Sequence, residues 1–346
     1  MVNIFNLGFY TADMNLGTLV SEIRSHPGVT RKAPISDVIS FFPNMSADHV
    51  LASYGEDAAV VAHNDDALLL AADGIMESLL KANPFNAGYY AVLVNINDIT
   101  AMGGIPLALV DIISMRDEKV CAQVMRGMEA AVSKFGVPVV GGHTHPDCAY
   151  DAIDVAILGT AKKDEVIYSH TARSGDDVIM AMDLDGRFPP TISFAWDTTS
   201  HKDGETCRRQ MRVMNEIGKR RLVNSGKDIS NPGSIGTLGM LLETSGKGAV
   251  VDIRKVSAPA DVDLSQWLRA YQGCGFVLTC PPENSQKVID IFAEAKITAS
   301  VVGTVNDTNK LVLQMDGESA ELFDFTVDKI TGCDPSKVPA SKRRKC

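Results

Sequence analysis

The sequence predicts an α/β (α+β) protein of two domains, and three observations carry that prediction. Apolar runs of strand length alternate with segments whose apolar residues recur at helical spacing, the pattern of sheets covered by helices. The alternation breaks once, at Lys162-Lys163-Asp164-Glu165, and restarts behind the turn Ser174-Gly175-Asp176-Asp177. At 346 residues, 45% hydrophobic and 22% charged, the chain is long enough for two cores.

The elements follow in order. Residues 1–52 read as a helical segment with a polar link from Ser25 to Lys32. The first domain, 53–162, takes strands at 57–62, 67–72, 107–114 and 154–160, where short apolar runs are bounded by turn residues. Between them lie helices at 88–102 and 117–135. In the first of these, Val92, Ile96, Ile99 and Met102 form an apolar stripe, and Gly103, Gly104 and Pro106 end it. The second domain, 163–335, begins with a strand at 177–183 and a long basic helix at 205–224. A glycine-rich helix to 244, a strand at 275–280, a helix at 284–295 and strands at 299–305 and 310–315 follow. Residues 336–346 form a basic tail ending in Cys346.

Charge and cysteine usage exclude several function classes. Thirty-three basic against 43 acidic residues give −10, which disfavours a nucleic-acid backbone or an acidic membrane as partner. The 7 cysteines are odd in number and contain no Cys-x-x-Cys pair, as expected of a reducing compartment. No apolar run approaches the roughly 20 residues of a membrane span, and no basic-then-apolar leader opens the chain, so a cytoplasmic location is expected.

The most informative segment runs from Asn95 to Pro106, because it puts amides and a carboxylate on an otherwise apolar helix. Asn95 and Asp98 lie three apart on a face beside the apolar stripe. A buried Asp costs several kcal/mol unless a cation or donor satisfies it, so the segment holds either a hydrogen-bond network or a metal or phosphate site. Three further acidic islands accompany it. Glu56-Asp57 stands at the mouth of a strand, Asp73-Gly74 ends the next, and Asp228 precedes a glycine-rich helix start. Exposed backbone N–H groups near Gly233 and Gly236 could hold a phosphate there, although glycine also simply permits close packing.

These pieces occur in a recognisable order. They are Gly-Glu-Asp-Ala-Ala-Val at 55–60, Ala-Asp-Gly at 72–74, Val-Asn-Ile-Asn-Asp-Ile-Thr-Ala-Met-Gly-Gly at 94–104, Gly-Gly-His-Thr at 141–144 and Asp-Ile-Ser at 228–230. In that order the chain resembles the superfamily of aminoimidazole ribonucleotide synthetase, from about residue 55 to 305. That superfamily also holds formylglycinamidine ribonucleotide synthetase, thiamine monophosphate kinase, selenophosphate synthetase and the thiocyanate-forming hydrogenase maturation protein. Residues 27–32, the run from Asn83 to Tyr90 and His143 to Asp147 are most similar to its synthetase-related branch, which includes methanogenesis-marker members.

The resemblance implies a two-domain synthetase-like fold whose first sheet pairs in a homodimer. It implies ATP with Mg2+, and possibly K+, and transfer of the γ-phosphate to an oxygen or selenium of a small substrate. By motif, the metal ligands would be Glu56, Asp57, Asp73, Asp98 and Asp228. Hard carboxylates suit magnesium, which bridges them to phosphates. Asn95, Asn97, Gly141, Gly142, His143, Thr144, Gly233 and Gly236 would contact the nucleotide. Asp57 would be catalytic, with Lys32, beside Arg31, closing over the phosphates to neutralise developing charge.

The departures from the family pattern are specific. Thiamine-type kinases carry Asp-Asp where this chain has Glu56-Asp57, and Gly-Gly-Asp-Thr where it has Gly-Gly-His-Thr. No Cys precedes Cys121, so the reactive N-terminal residue of selenophosphate synthetases is missing. Cys346 matches the terminal cysteine of the hydrogenase maturation members by position, but the Pro-Arg-Ile-Cys ending is not reproduced. The leading expectation is a Mg-dependent ATP-using kinase or synthetase. One alternative is a non-catalytic, nucleotide-binding assembly partner in cofactor maturation, with a protein partner. Another is a metal-dependent hydrolase holding zinc through His143, His145 and Asp147.

Overall fold

A computed structural model describes residues 15–42 and 47–333 of the chain. Tail residues 336–346, Cys346 among them, lie outside the described residues. The N-terminal segment gives α1 (Leu16–Arg24), α2 (Pro27–Thr30) and α3 (Ile35–Ser40). The first domain follows as β1 (Val50–Ala52), β2 (Ala59–His63), β3 (Asp66–Gly74), α4 (Glu77–Ala82), α5 (Pro84–Ala101), β4 (Ile105–Ser114), α6 (Glu118–Phe135), β5 (Val139–His145) and β6 (Ala152–Lys162). The second comprises β7 (Asp177–Met182), α7 (Gly204–Lys219), β8 (Ser225–Asp228), α8 (Gly233–Ser245), β9 (Gly248–Asp252), α9 (Leu264–Arg269), β10 (Gly275–Cys280), α10 (Pro282–Glu294), β11 (Thr298–Asn306), β12 (Lys310–Met315) and β13 (Glu318–Asp324).

Each domain is built on one mixed sheet. The first has the order β1-β2-β3-β6-β4-β5, with β4 and β5 parallel and the other pairs antiparallel. The second has the order β13-β12-β9-β11-β7-β10-β8, with β12 and β9 as its parallel pair. The expected two-domain α/β architecture is present, and most boundaries fall within a few residues of the sequence expectation. Helix α7 stops at Lys219, short of the expected 224, because Arg221 takes a left-handed φ of 52°.

The N-terminal helical segment packs on the second domain. Leu16, Leu19 and Ile23 of α1 are buried in the core of the second domain with Leu311, Leu313 and Phe323. Its amphipathic face has apolar residues three and four apart, and the sheet of the second domain offers the covering surface. This crossing carries Arg31 and Lys32, just after α2, towards the junction of the two domains.

Helix α5 is the centre of the first domain. Asn83 caps it by accepting from the Asn86 amide at 3.0 Å, and Pro84 occupies its first turn. Thirteen of its 18 residues are buried, because β3, β6, α6 and the second domain surround it. Two glycines let α6 come close. A Cβ at Gly127 would stand 1.9 Å from the Phe85 carbonyl oxygen, and one at Gly88 would stand 2.0 Å from that of Val124.

The opposite face of the first sheet is uncovered in the single chain. Leu70 (52% exposed), Val110 (44%), Ile112 (49%) and Leu158 (37%) share it, alternating with buried residues along β3, β4 and β6. Among the described residues, no helix is long and apolar enough to cross a membrane.

The α5–α6 contact yields a direct expectation. Gly127→Ala should force these helices apart and destabilise the protein by about 1–3 kcal/mol, seen as a lower midpoint in thermal denaturation.

Candidate active site

Three elements from both domains converge on one point. The loop before β2 supplies Glu56 and Asp57, α5 supplies Asp98 in its last turn, and the end of β8 supplies Asp228. One carboxylate oxygen from each of Asp57, Asp98 and Asp228 lies within 4.8 Å of the others. These three were joined only by family order in the sequence, 171 residues apart at the extremes. Among the described residues they are the one group of three carboxylate, imidazole or thiolate ligands close enough to share a metal.

The trio is packed against two buried latches between the domains. Lys227 Nζ donates to Asp57 Oδ1, and the Asp228 amide donates to Asp57 Oδ2 at 3.3 Å. The Asp57 and Lys227 side chains are only 4% and 9% exposed. The neighbouring Glu56 accepts from the Ser169 amide at 2.6 Å and hydroxyl at 2.9 Å, and meets His170 Nδ1 at 2.5 Å. Consecutive acidic residues thus grip different parts of the second domain.

Glu56, expected among the metal ligands, stands outside the trio. Both its oxygens are engaged by the 169–170 loop, and the longer side chain carries its carboxylate past the trio. Burial pushes its carboxyl up, but the His170 and Ser169 contacts outweigh that and hold it below the usual range. Asp73, at the end of β3, is outside the trio but within electrostatic reach of Asp98 and Asp228. Burial raises its carboxyl, opposed by Lys32 and Arg31. Burial in turn lowers the Lys32 ammonium, which sits near Asp73 and Asp228.

The other expected contacts divide. Asn97 Nδ2 donates to the Gly273 carbonyl at 3.3 Å, so this amide docks the domains. Asn95 is fully buried; its Nδ2 donates to the Ala91 carbonyl at 2.8 Å within the helix, and its Oδ1 has no hydrogen-bond partner among the described residues. Gly233 and Gly236 make room for the chain itself. A Cβ at Gly233 would meet the Leu268 carbonyl at 2.2 Å, and one at Gly236 would meet Pro232 and Val29 side-chain atoms at 2.6 and 3.0 Å. Both glycines are buried, so the expectation that they let backbone approach a phosphate gives way to the packing alternative.

Gly141, Gly142, His143 and Thr144 lie on β5, an exposed edge strand. His143 and His145 are ring neighbours with centroids 4.6 Å apart, but Asp147 does not complete a three-ligand group with them. The zinc expectation lacks its third ligand for that reason.

Lys227 is the principal residue that motif reading did not single out. Its signal was present: a lysine beside Asp228 in a run entering a buried helix, where a charge needs a partner. Past Asp228, Ile229 joins Met182, Trp196, Trp267, Tyr271 and Gly275 in lining a cleft. The Tyr271 ring stacks on Phe194 at 5.2 Å, and its hydroxyl feels Arg31 and Asp73, so the cleft borders the acidic junction.

Electrostatics make the junction a receptor for positive charge. Burial pushes the Asp228 carboxyl up to about 8, reinforced by Asp57 and Asp73 and opposed by Lys227. Burial also raises Asp98 strongly, and Asp228, Asp57 and Asp73 add to the shift. An unfolded Asp loses its proton near about 4, whereas folded Asp228 keeps it to about 8. The resulting penalty on the folded state is absent below the first pH and complete above the second. Without metal, thermal stability should therefore fall as pH rises through this window. Mg2+ should restore it at high pH, and Asp228→Asn should flatten the profile.

Comparisons with known proteins identify the family of the chain. Residues 55–161 match the family model for the AIR synthase related protein, N-terminal domain, and residues 191–316 match that for the C-terminal domain. An uncharacterised protein of Methanocaldococcus jannaschii is 47% identical over 325 residues, covering 92% of this chain and 100% of the relative. PurL of T. maritima complexed with ADP superposes with a TM-score of 0.73 at 17% identity, over 92% of this chain and 51% of that one. This chain thus spans about half the length of PurL. AaThiL complexed with AMPPCP and TMP gives a TM-score of 0.63 at 17% identity, over 90% of this chain and all of that one. Two matched domains and full-length similarity to the archaeal relative establish that the chain belongs to the AIR synthase related family.

Proposed function

We propose that this protein is a Mg-dependent, ATP-using kinase or synthetase that phosphorylates or activates an oxygen of a small substrate at the domain junction. The observation that carries this reading is the convergence of Asp57, Asp98 and Asp228, with the carboxyls of Asp98 and Asp228 pushed up by burial and mutual repulsion. Such a donor set fits a hard divalent cation, which offsets the repulsion and satisfies oxygen ligands. ADP in PurL and AMPPCP in AaThiL support a nucleotide in the same fold.

Each group of the chain then has a task. Asp57, Asp98 and Asp228 would hold Mg2+, which would supply charge neutralisation for the phosphates. Lys32 and Arg31 stand beside Asp73, where they would meet charge developing on a transferred phosphoryl group. The commitment of Glu56 to the interdomain latch favours one other reading, a nucleotide-binding assembly partner without turnover.

Calorimetric titration with ATP, with and without Mg2+, tests the proposal. Wild type should bind only with the metal, and Asp98→Ala should weaken binding by at least about tenfold. This variant also removes a repelled carboxylate, so it should melt no lower than wild type in metal-free buffer. Failure of well-folded wild type to bind would overturn the function. Binding without γ-phosphate transfer to any acceptor would select the assembly-partner reading.

The uncovered sheet face supports a homodimer. Leu70, Val110, Ile112 and Leu158 present a continuous apolar surface of the kind buried in obligate interfaces. Ile112→Glu should convert the dimer to monomer in sedimentation velocity, and a monomeric wild type would overturn this part of the reading.

A further inference from the structure

The charges at the junction balance pair by pair, except at one place. Glu56 has His170, Asp73 has Lys32 within electrostatic reach, and Asp57 has Lys227. Asp98 and Asp228 share the trio with no cation of their own paired to either among the described residues, and Asp228 raises the Asp98 carboxyl. With Lys227 counted, the ionised trio carries two negative charges, the charge of one divalent ion reversed. Without it the charge would be three.

Latching the two domains does not by itself require a charged residue on β8. Burying an ammonium is costly, and an apolar residue would fill the same space on β8 more cheaply. The Asp228 amide already orients Asp57 through Oδ2. Lys227 instead takes Oδ1 of a carboxylate that offers one oxygen within 4.8 Å of ligand atoms on Asp98 and Asp228.

We propose that Lys227 is the resident cation of the junction. It holds one oxygen of Asp57 and cancels one of the trio's charges, so the site is matched to a single divalent ion that must compete with the lysine for that oxygen. This rests on reading the trio as a metal centre. Lys227 is a positioning residue here: it sets which ion the carboxylates accept and when Asp57 becomes free to bind it.

Charge matching provides a test that a purely structural lysine would fail. The nucleotide-free full-length chain is titrated with Mn2+ and with Tb3+ in wild type, Lys227→Met and Lys227→Arg. Removing the resident charge should raise the preference for Tb3+ over Mn2+ at least about tenfold in Lys227→Met, with Mn2+ bound no more weakly than in wild type. Lys227→Arg, which keeps the charge, should stay near the wild-type preference. An unchanged preference, or weaker Mn2+ binding by a folded Lys227→Met, would overturn the proposal and leave Lys227 a strut. Should Lys227→Met fail to fold, the wild-type lysine Nζ resonance, assigned by its loss in Lys227→Arg, decides. Movement on saturation with Mg2+ supports competition, and an unmoved signal overturns it. ATP is absent throughout, so loss of Mg·ATP binding with an intact ion preference would overturn the function alone. The reverse pattern would overturn only the role of Lys227.

Discussion

The buried pair between Asp57 and Lys227 is the constraint on which the junction depends. It joins a loop of the first domain to a strand of the second, with both side chains nearly sealed from water. Breaking a buried pair by removing one partner costs about 3–5 kcal/mol, because the remaining charge is left uncompensated. The adjacent Glu56 grips Ser169 and His170, so two successive residues define where one domain sits on the other. Asn97 adds a third contact to the Gly273 carbonyl. The relative placement of Asp57, Asp98 and Asp228 follows from these latches.

The same latches create an electrostatic conflict that a stability-driven sequence would avoid. Asp98 belongs to a helix whose other buried positions are almost all apolar or amide, and its nearest charges include three carboxylates. The glycines at 88 and 127 seat α5 so closely against α6 that the helix cannot easily withdraw Asp98 from its neighbours. Rigid packing thus holds like charges together, and the repulsion is relieved by protons, by Lys227 or by a bound cation. Locally unfavourable choices supported by well-packed surroundings are characteristic of functional sites.

Much of this arrangement was legible in the chain because local patterns survive folding. The apolar stripe of α5, the strands β2, β3, β4 and β6, and the glycine-rich α8 all announced themselves through periodicity and punctuation. Strand β5 did not, because Gly-Gly-His-Thr-His carries no apolar alternation; pairing with β4 at the sheet edge creates it. Strands β8 and β13 were missed for related reasons. β8 is four residues long and half charged, and β13 has only its last residues buried. The roles of Gly233 and Gly236 were ambiguous because a missing Cβ looks the same whether it makes room for a phosphate or for a carbonyl.

By itself, the sequence determined the α/β class, the two-domain division, and the set of acidic residues from which a cation site could be drawn. It did so because periodicity, turn chemistry and family order are properties of residues near one another in the chain. Only the tertiary structure decided which carboxylates meet. Glu56 was taken out of the ligand set by the 169–170 loop, and Asp57, Asp98 and Asp228 were gathered across 171 residues. Tertiary structure also made Lys227 their neighbour and drew α1 into the core of the other domain. The physical reason is that Coulomb energy and desolvation depend on distance and burial in three dimensions, and neither is encoded in spacing along the chain.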